Sequence, residues 1–190
     1  MTIQQNKYRL ARVLADSFKT DRFFQYFFAP NTVGNFARYM FFVDEISVRL
    51  RFGVVLTSGE AVALVGLPTH LFIQISDLGS VTRFLLWLQG RNYSGRWRNV
   101  MAEQKVSQID SNVAYLSAIA CPPERRRMGL ATDLLRQITT YVRDRHLDLI
   151  CEVSSIELVG WYLNRGFVLT GKSNLDDNTN VYTLRNGHAD

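Results

Sequence analysis

Tyr115-Leu116-Ser117-Ala118-Ile119-Ala120-Cys121-Pro122-Pro123-Glu124-Arg125-Arg126-Arg127-Met128-Gly129-Leu130-Ala131 is the stretch on which the reading of this chain turns. With Val113 and Ala114 before it, the apolar run to Cys121 has the length and small-residue content of a buried strand, and Pro122-Pro123 halts it. Three consecutive arginines follow, and a helix opens at Gly129. From Gly129 to His146, Leu130, Leu134, Ile138, Tyr141 and Val142 fall on one face at helical spacing. The first turn of a helix leaves backbone N–H groups without partners, and the macrodipole adds positive potential there. Strand, basic turn and glycine-opened helix together make a place for a pyrophosphate. Gly129 has no Cβ to hold a phosphate away, Ala131 has little more, and Arg126 or Arg127 can add a charge-assisted bond. Taken alone, the same residues also describe a solvated corner followed by a turn.

Working outward, Leu149–Val153 reads as a short buried strand, Ser155 to Arg165 as a helix ended by Gly166, and Phe167–Thr170 as the start of another strand. Thr179–Leu184 is the last strand, after an Asp176-Asp177-Asn178 turn. Such alternation gives a mixed sheet covered by helices. Upstream, Tyr8 to Phe18 is an amphipathic helix, Phe23–Phe28 a short aromatic segment, and Asn31 or Thr32 caps a helix running to Phe52. Val54–Thr57 and Ala61–Val65 flank Ser58-Gly59-Glu60 as a hairpin, and Pro68 stops its second strand. Between Thr69 and Ser111 the pattern weakens: a helix is expected over Val81–Gln89 and a loop over Arg91–Arg98. No repeat or linker interrupts the chain, so residues 1–190 are expected to form one domain.

Of the 190 residues, 47% are hydrophobic and 21% charged, the composition of a soluble globular protein. Cys121 and Cys151 lack metal-ligand spacing, so neither a disulfide framework nor a metal is implied and a reducing compartment is expected. The start has no signal-peptide run, and no stretch approaches the roughly 20 apolar residues that span a bilayer. The expected location is cytoplasmic, with no membrane partner. A net charge of +5 favours polyanionic partners. Its tightest cluster lies before a glycine-opened helix, which favours a phosphorylated small molecule. No nucleic-acid motif accompanies it.

Arg126-Arg127-Met128-Gly129-Leu130-Ala131 fits the pattern R/Q-x-x-G-x-G/A, and Trp161-Tyr162-Leu163-Asn164-Arg165-Gly166-Phe167 contains Y-x-x-x-G-F. In this order and spacing the chain resembles the GNAT superfamily of N-acetyltransferases, from about Asn112 to Asn186. The resemblance implies an α/β fold with a mixed, mostly antiparallel central sheet flanked by helices. It also implies acetyl-CoA as acyl donor, lying in a gap where the strand Val113–Cys121 bulges and splays from its neighbour. Backbone groups of Ile119, Ala120 and Cys121 would then pair with the pantetheine arm. Arg126, Arg127, Met128, Gly129, Leu130, Ala131 and Thr132 would cradle the pyrophosphate, and a backbone N–H of the splayed strand would serve as oxyanion donor. Ser155 stands where the family often has an asparagine that contacts the arm, and Leu158 where a small residue or asparagine is frequent.

Tyr162 is the implied general acid. A thiol has a pKa of about 8.5 and a phenol about 10, so a tyrosine near the sulfur can hand over its proton as negative charge develops. Against this stands the plain alternative that Trp161 and Tyr162 are the apolar face of a helix. An alkyl amine, with a pKa of about 10.4, must lose a proton before it attacks. Many relatives carry a glutamate for this on the strand before the arginine turn, but Val113–Cys121 contains no acid. Glu152 is the candidate, with a loop-anchoring role as its alternative; His70 reads better as a loop residue and Tyr115 as a core aromatic. A cysteine–histidine dyad with His146 finds no support in the spacing, and both cysteines read as small buried residues. Some rings of Phe23–Phe28 can line an acceptor cleft. The expected activity is N-acetyl transfer to a primary amine, with a non-catalytic acyl-CoA sensor or scaffold as the alternative. Expected partners are acetyl-CoA and an amine acceptor, without nucleic acid, and a homodimer is left open.

Overall fold

The structure, a computed structural model, describes residues 3–89, 93, 95, 96, 112–177 and 179–187, with side chains from Asn6 onward. Three helices come first: α1 (Ile3–Ser17), α2 (Arg22–Phe27) and α3 (Thr32–Phe52). Asp21 caps α2 and Asn31 caps α3, each side chain accepting an N–H from the first turn. The hairpin β1 (Gly53–Ser58) and β2 (Ala61–Gly66) turns through Gly59 at φ 58°, a left-handed conformation that glycine adopts freely. α4 (Ser80–Leu88), β3 (Val113–Ala120), α5 (Leu130–Arg143), β4 (Asp148–Val153), α6 (Ile156–Leu163), β5 (Val168–Asp176) and β6 (Thr179–Asn186) complete the order.

The six strands form one sheet in the order β1-β2-β3-β4-β6-β5. Only β3 and β4 pair in parallel; the other four pairings are antiparallel. The expected mixed, mostly antiparallel sheet with flanking helices is thus the observed architecture. Alternation along β2 shows how the sheet divides two cores. Val62 and Leu64 pack with Leu14, Phe28, Phe42 and Ile46 of the N-terminal helices. Ala61, Ala63 and Val65 pack with Leu134 and Ile138 of α5, and with Val159 and Tyr162 of α6.

Several expected boundaries move, among them the start of α1, which lies at Ile3 rather than Tyr8. The strand expected to start over Phe167–Thr170 is β5, which runs on to Asp176 as an edge strand exposed along most of its length. Its residues 171–174 therefore carry no apolar alternation to betray a strand. α5 ends at Arg143, three residues before His146, in a closing turn where His146 takes φ 54°. α6 is shorter than Ser155–Arg165 at both ends, with Ser155 at its N-cap and a turn through Gly166 at φ 82°. Of the weakly patterned stretch, α4 matches the helix expected over Val81–Gln89. Most of the loop expected over Arg91–Arg98 lies outside the described residues.

Candidate active site

Parallel pairing between β3 and β4 runs from Val113↔Asp148 to Leu116↔Cys151 and stops there. Beyond that point β3 remains bonded to β2 alone and β4 to β6 alone. The cause is a bulge. Val65 pairs with Leu116 and Leu64 with Ala118, which leaves Ser117 as the extra residue. Its hydroxyl donates to the Leu64 carbonyl at 3.1 Å. One inserted residue bends a strand and reverses its alternation. Ala114 and Leu116 accordingly face the α5 core, whereas Ala118 and Ala120 face the α1 and α3 core. Ile119 and Cys121 now turn toward α5, and strand edges of β3 and β4 open toward each other in a cleft of about 960 Å³.

α5 begins at the mouth of this cleft. Gly129 holds φ 83°, and Arg127 beside it holds φ 64°. The first α-type bond of the helix runs from the Asp133 N–H to the Gly129 carbonyl, so the amides of residues 130–132 precede the ladder. A Cβ built on Gly129 meets nothing within 4 Å. The glycine is therefore required by its backbone angle rather than by crowding inside the protein, and the space in front of it stays open. Arg126, Arg127, Gly129, Leu130, Ala131 and Thr132 all line the cleft, while the Met128 side chain is 60% exposed. Arg125 also lines the cleft and pairs with Glu60 of the β1–β2 turn at 2.9 Å.

Strand alternation sets two titratable groups on opposite faces of β4. Cys151 points toward α6, where it meets the Tyr162 hydroxyl. Tyr162 is 3% exposed, stacks edge-on against Trp161 and Phe167, and still borders the cleft. Burial raises its pKa well above the usual phenol range, with the Cys151 thiol adding to the effect, so it holds its proton. Glu152 points to the other face and accepts the Tyr115 hydroxyl at 3.1 Å. Tyr115 is buried beside that carboxylate, and both its burial and the negative charge keep it protonated. Glu152 thus borders the cleft as well as anchoring a core aromatic.

The profile of the Acetyltransferase (GNAT) family matches residues 20–167. The chain belongs to the GNAT acetyltransferase family. That family's shared chemistry is acyl transfer from acetyl-CoA. A Corynebacterium glutamicum structure described as a histone acetyltransferase and related acetyltransferase has a TM-score of 0.64 at 17% identity, over 98% of this chain and 93% of its own. The C-terminal condensation domain of Ebony, solved with beta-alanyl-dopamine, has a TM-score of 0.66 at 6% identity, over 96% and 95% of the two chains. These likenesses carry the fold alone. Comparison with curated proteins gives no match.

In this GNAT chain the remaining expected residues fall as follows. Ser155 lines the cleft and its hydroxyl meets the Glu157 carboxylate in the first turn of α6; Leu158 lines the cleft and is partly exposed. Cys121, expected to be buried, is half-exposed at the end of β3 because the bulge turns it into the cleft. Cys151 is buried as expected. His70 sits in a short 3₁₀ turn paired with Asp77 at 2.9 Å, outside the cleft. Two residues escaped the sequence reading. Asp21 and Ser154 meet at 2.7 Å across 133 positions and border the cleft at its inner end. The only local trace of this was Asp21 as an N-cap before an aromatic helix. Arg165 stacks on Trp161 at 4.0 Å and donates to the Thr132 hydroxyl at 3.2 Å, tying α6 to the first turn of α5. No helix among the described residues is long and apolar enough to cross a membrane.

Proposed function

We propose that the protein is an N-acetyltransferase moving an acetyl group from acetyl-CoA directly to a primary amine on a small molecule. The observation that carries this reading is the divergence of β3 and β4 at the Ser117 bulge, immediately beside the open helix mouth at Gly129. Backbone groups of Ile119, Ala120 and Cys121 would hold the pantetheine arm. Amides of Leu130, Ala131 and Thr132, with Arg126 and Arg127 and the backbone at Met128, would hold the pyrophosphate. Ser155 would bind beside the arm. The bound cosubstrate supplies the activated acyl thioester.

Two protons must move, and the chain offers one group for each. Glu152 would draw the proton from the incoming ammonium, on the face of β4 turned toward α1 and α2. Tyr162 would donate to the departing thiolate, on the face turned toward α6. Burial that raises Tyr162 also raises any thiolate formed beside it, so the two stay closer in pKa than the phenol's own shift alone implies. We also read residues 1–190 as one domain, and two unpaired thiols as fitting a reducing, cytoplasmic setting.

The test combines calorimetry with coenzyme A and a thiol-release assay across small primary amines. Binding together with amine-dependent release is the expected result. Binding without release for any amine would favour the sensor reading, and no binding at millimolar coenzyme A would end the transferase assignment.

A further inference from the structure

We propose that the inner end of the cleft selects small monocationic alkylamines with an apolar or aromatic body and no carboxylate beside the nitrogen, and that Asp21 is the residue that sets this specificity. The inference rests on the transferase reading and narrows its acceptor. The cleft is polarised along its length. Its outer end holds the arginine turn and the mouth of α5; its inner end holds the carboxylates of Asp21 and Glu152. A smaller cavity opens from that inner end. Asp21, Glu152 and Ser154 line it together with Phe18, Phe23 and Phe24, and among the described residues no lysine or arginine does. Arg22 borders only the larger cleft and is exposed.

Asp21 is held from two directions. One carboxylate oxygen accepts the Phe24 N–H at 3.1 Å, and the other accepts the Ser154 hydroxyl at 2.7 Å. The Phe23 N–H bonds to it as well. A carboxylate has about four acceptor positions, so these three bonds orient it and leave capacity for a cationic donor. The group is half-buried, and burial raises its pKa against the opposing pull of those bonds. A charge in that setting is costly until a counter-charge arrives, which an alkylammonium provides. Phenylalanine rings beside it offer apolar contact and attractive faces for the same cation. An amino acid would place its own carboxylate against Asp21 and Glu152, where like charges repel.

Matched acceptors test this directly: 2-phenylethylamine against phenylalanine, and isobutylamine against valine, each pair differing by one carboxylate. With the wild-type protein the amines should exceed their amino acids in kcat/KM by about 100-fold. In Asp21→Asn, which keeps an oxygen for the Phe24 N–H, the KM for the amines should rise about tenfold while the KM for acetyl-CoA holds. Equal use of both members of a pair, or an unchanged amine KM in the variant, overturns the proposal. If no amine releases thiol, the transferase reading falls, and calorimetry of the two amines decides the specificity separately. Binding that weakens in Asp21→Asn sustains the ammonium site, and absence of binding to the wild type removes it.

Discussion

The two ends of the cleft are built from different materials. The outer end is backbone: a strand that has lost its neighbour, a glycine at positive φ, and amides ahead of the helix ladder. Only Gly129 there is demanded by conformation, and the surrounding side chains can vary without closing the site. The inner end is side chains drawn from the α1–α2 connection, α2, β3, β4 and the turn that follows β4. A phosphate site made of main chain tolerates drift in sequence; an amine site made of carboxylates and rings does not. Substitutions at the two ends should therefore separate cleanly, with rate and amine KM responding at one and acetyl-CoA affinity at the other.

The largest expected effect is that of Glu152→Gln, which keeps the shape and an acceptor for Tyr115 but not the base. Its kcat should fall about 10³-fold at neutral pH, with acetyl-CoA affinity by calorimetry unchanged. A wild-type rate would leave Glu152 as no more than the anchor of Tyr115. Next comes Tyr162→Phe, with kcat lowered about 10²-fold and affinity again held. Loss of acetyl-CoA binding in that variant would mean that the ring shapes the cleft rather than donating a proton. Smaller still, Gly129→Val places a β-branched residue at φ 83°. Strain of about 1–2 kcal/mol should weaken acetyl-CoA roughly tenfold without altering the amine KM. Should the amine KM rise with it, the two ends would be coupled, and the bond from Arg165 to Thr132 would be the first connection to examine.

The same contrast explains what could be read from the chain. Strand, proline stop, arginine turn and glycine-opened helix are adjacent in sequence, so their chemistry survives as a short string, as does the hairpin about Gly59. The cap at Asn31 was legible for the same reason. The bulge at Ser117 has no residue signature, and its expectation came through family resemblance; the register around Leu64 and Val65 shows it. β5 was legible only at its start, because an exposed edge strand needs no apolar alternation further on. Asp21 and Ser154 escaped because only the fold brings them together.

Asp21 offers a last and smallest effect, in stability rather than rate. Its pKa in the fold is raised above 3.8, first by burial, with the bonds from Ser154, Phe24 and Phe23 opposing. As pH climbs past the ordinary carboxylate range, the unfolded chain gives up this proton before the folded one does, so the folded state binds more protons and loses stability with rising pH. Below that range both states are protonated and the contribution is whole. Asp21→Asn cannot titrate, and Asn keeps an acceptor for the Phe24 N–H. Relative to the wild type, the variant's melting temperature should therefore improve from pH 4 to pH 7 in the absence of ligand. Saturating amine should reverse that trend, since a bound cation favours the ionised wild-type carboxylate and gains nothing from the amide. A melting-temperature difference that stays flat with pH, with and without amine, would show that the inner end of the cleft does not carry its charge on Asp21.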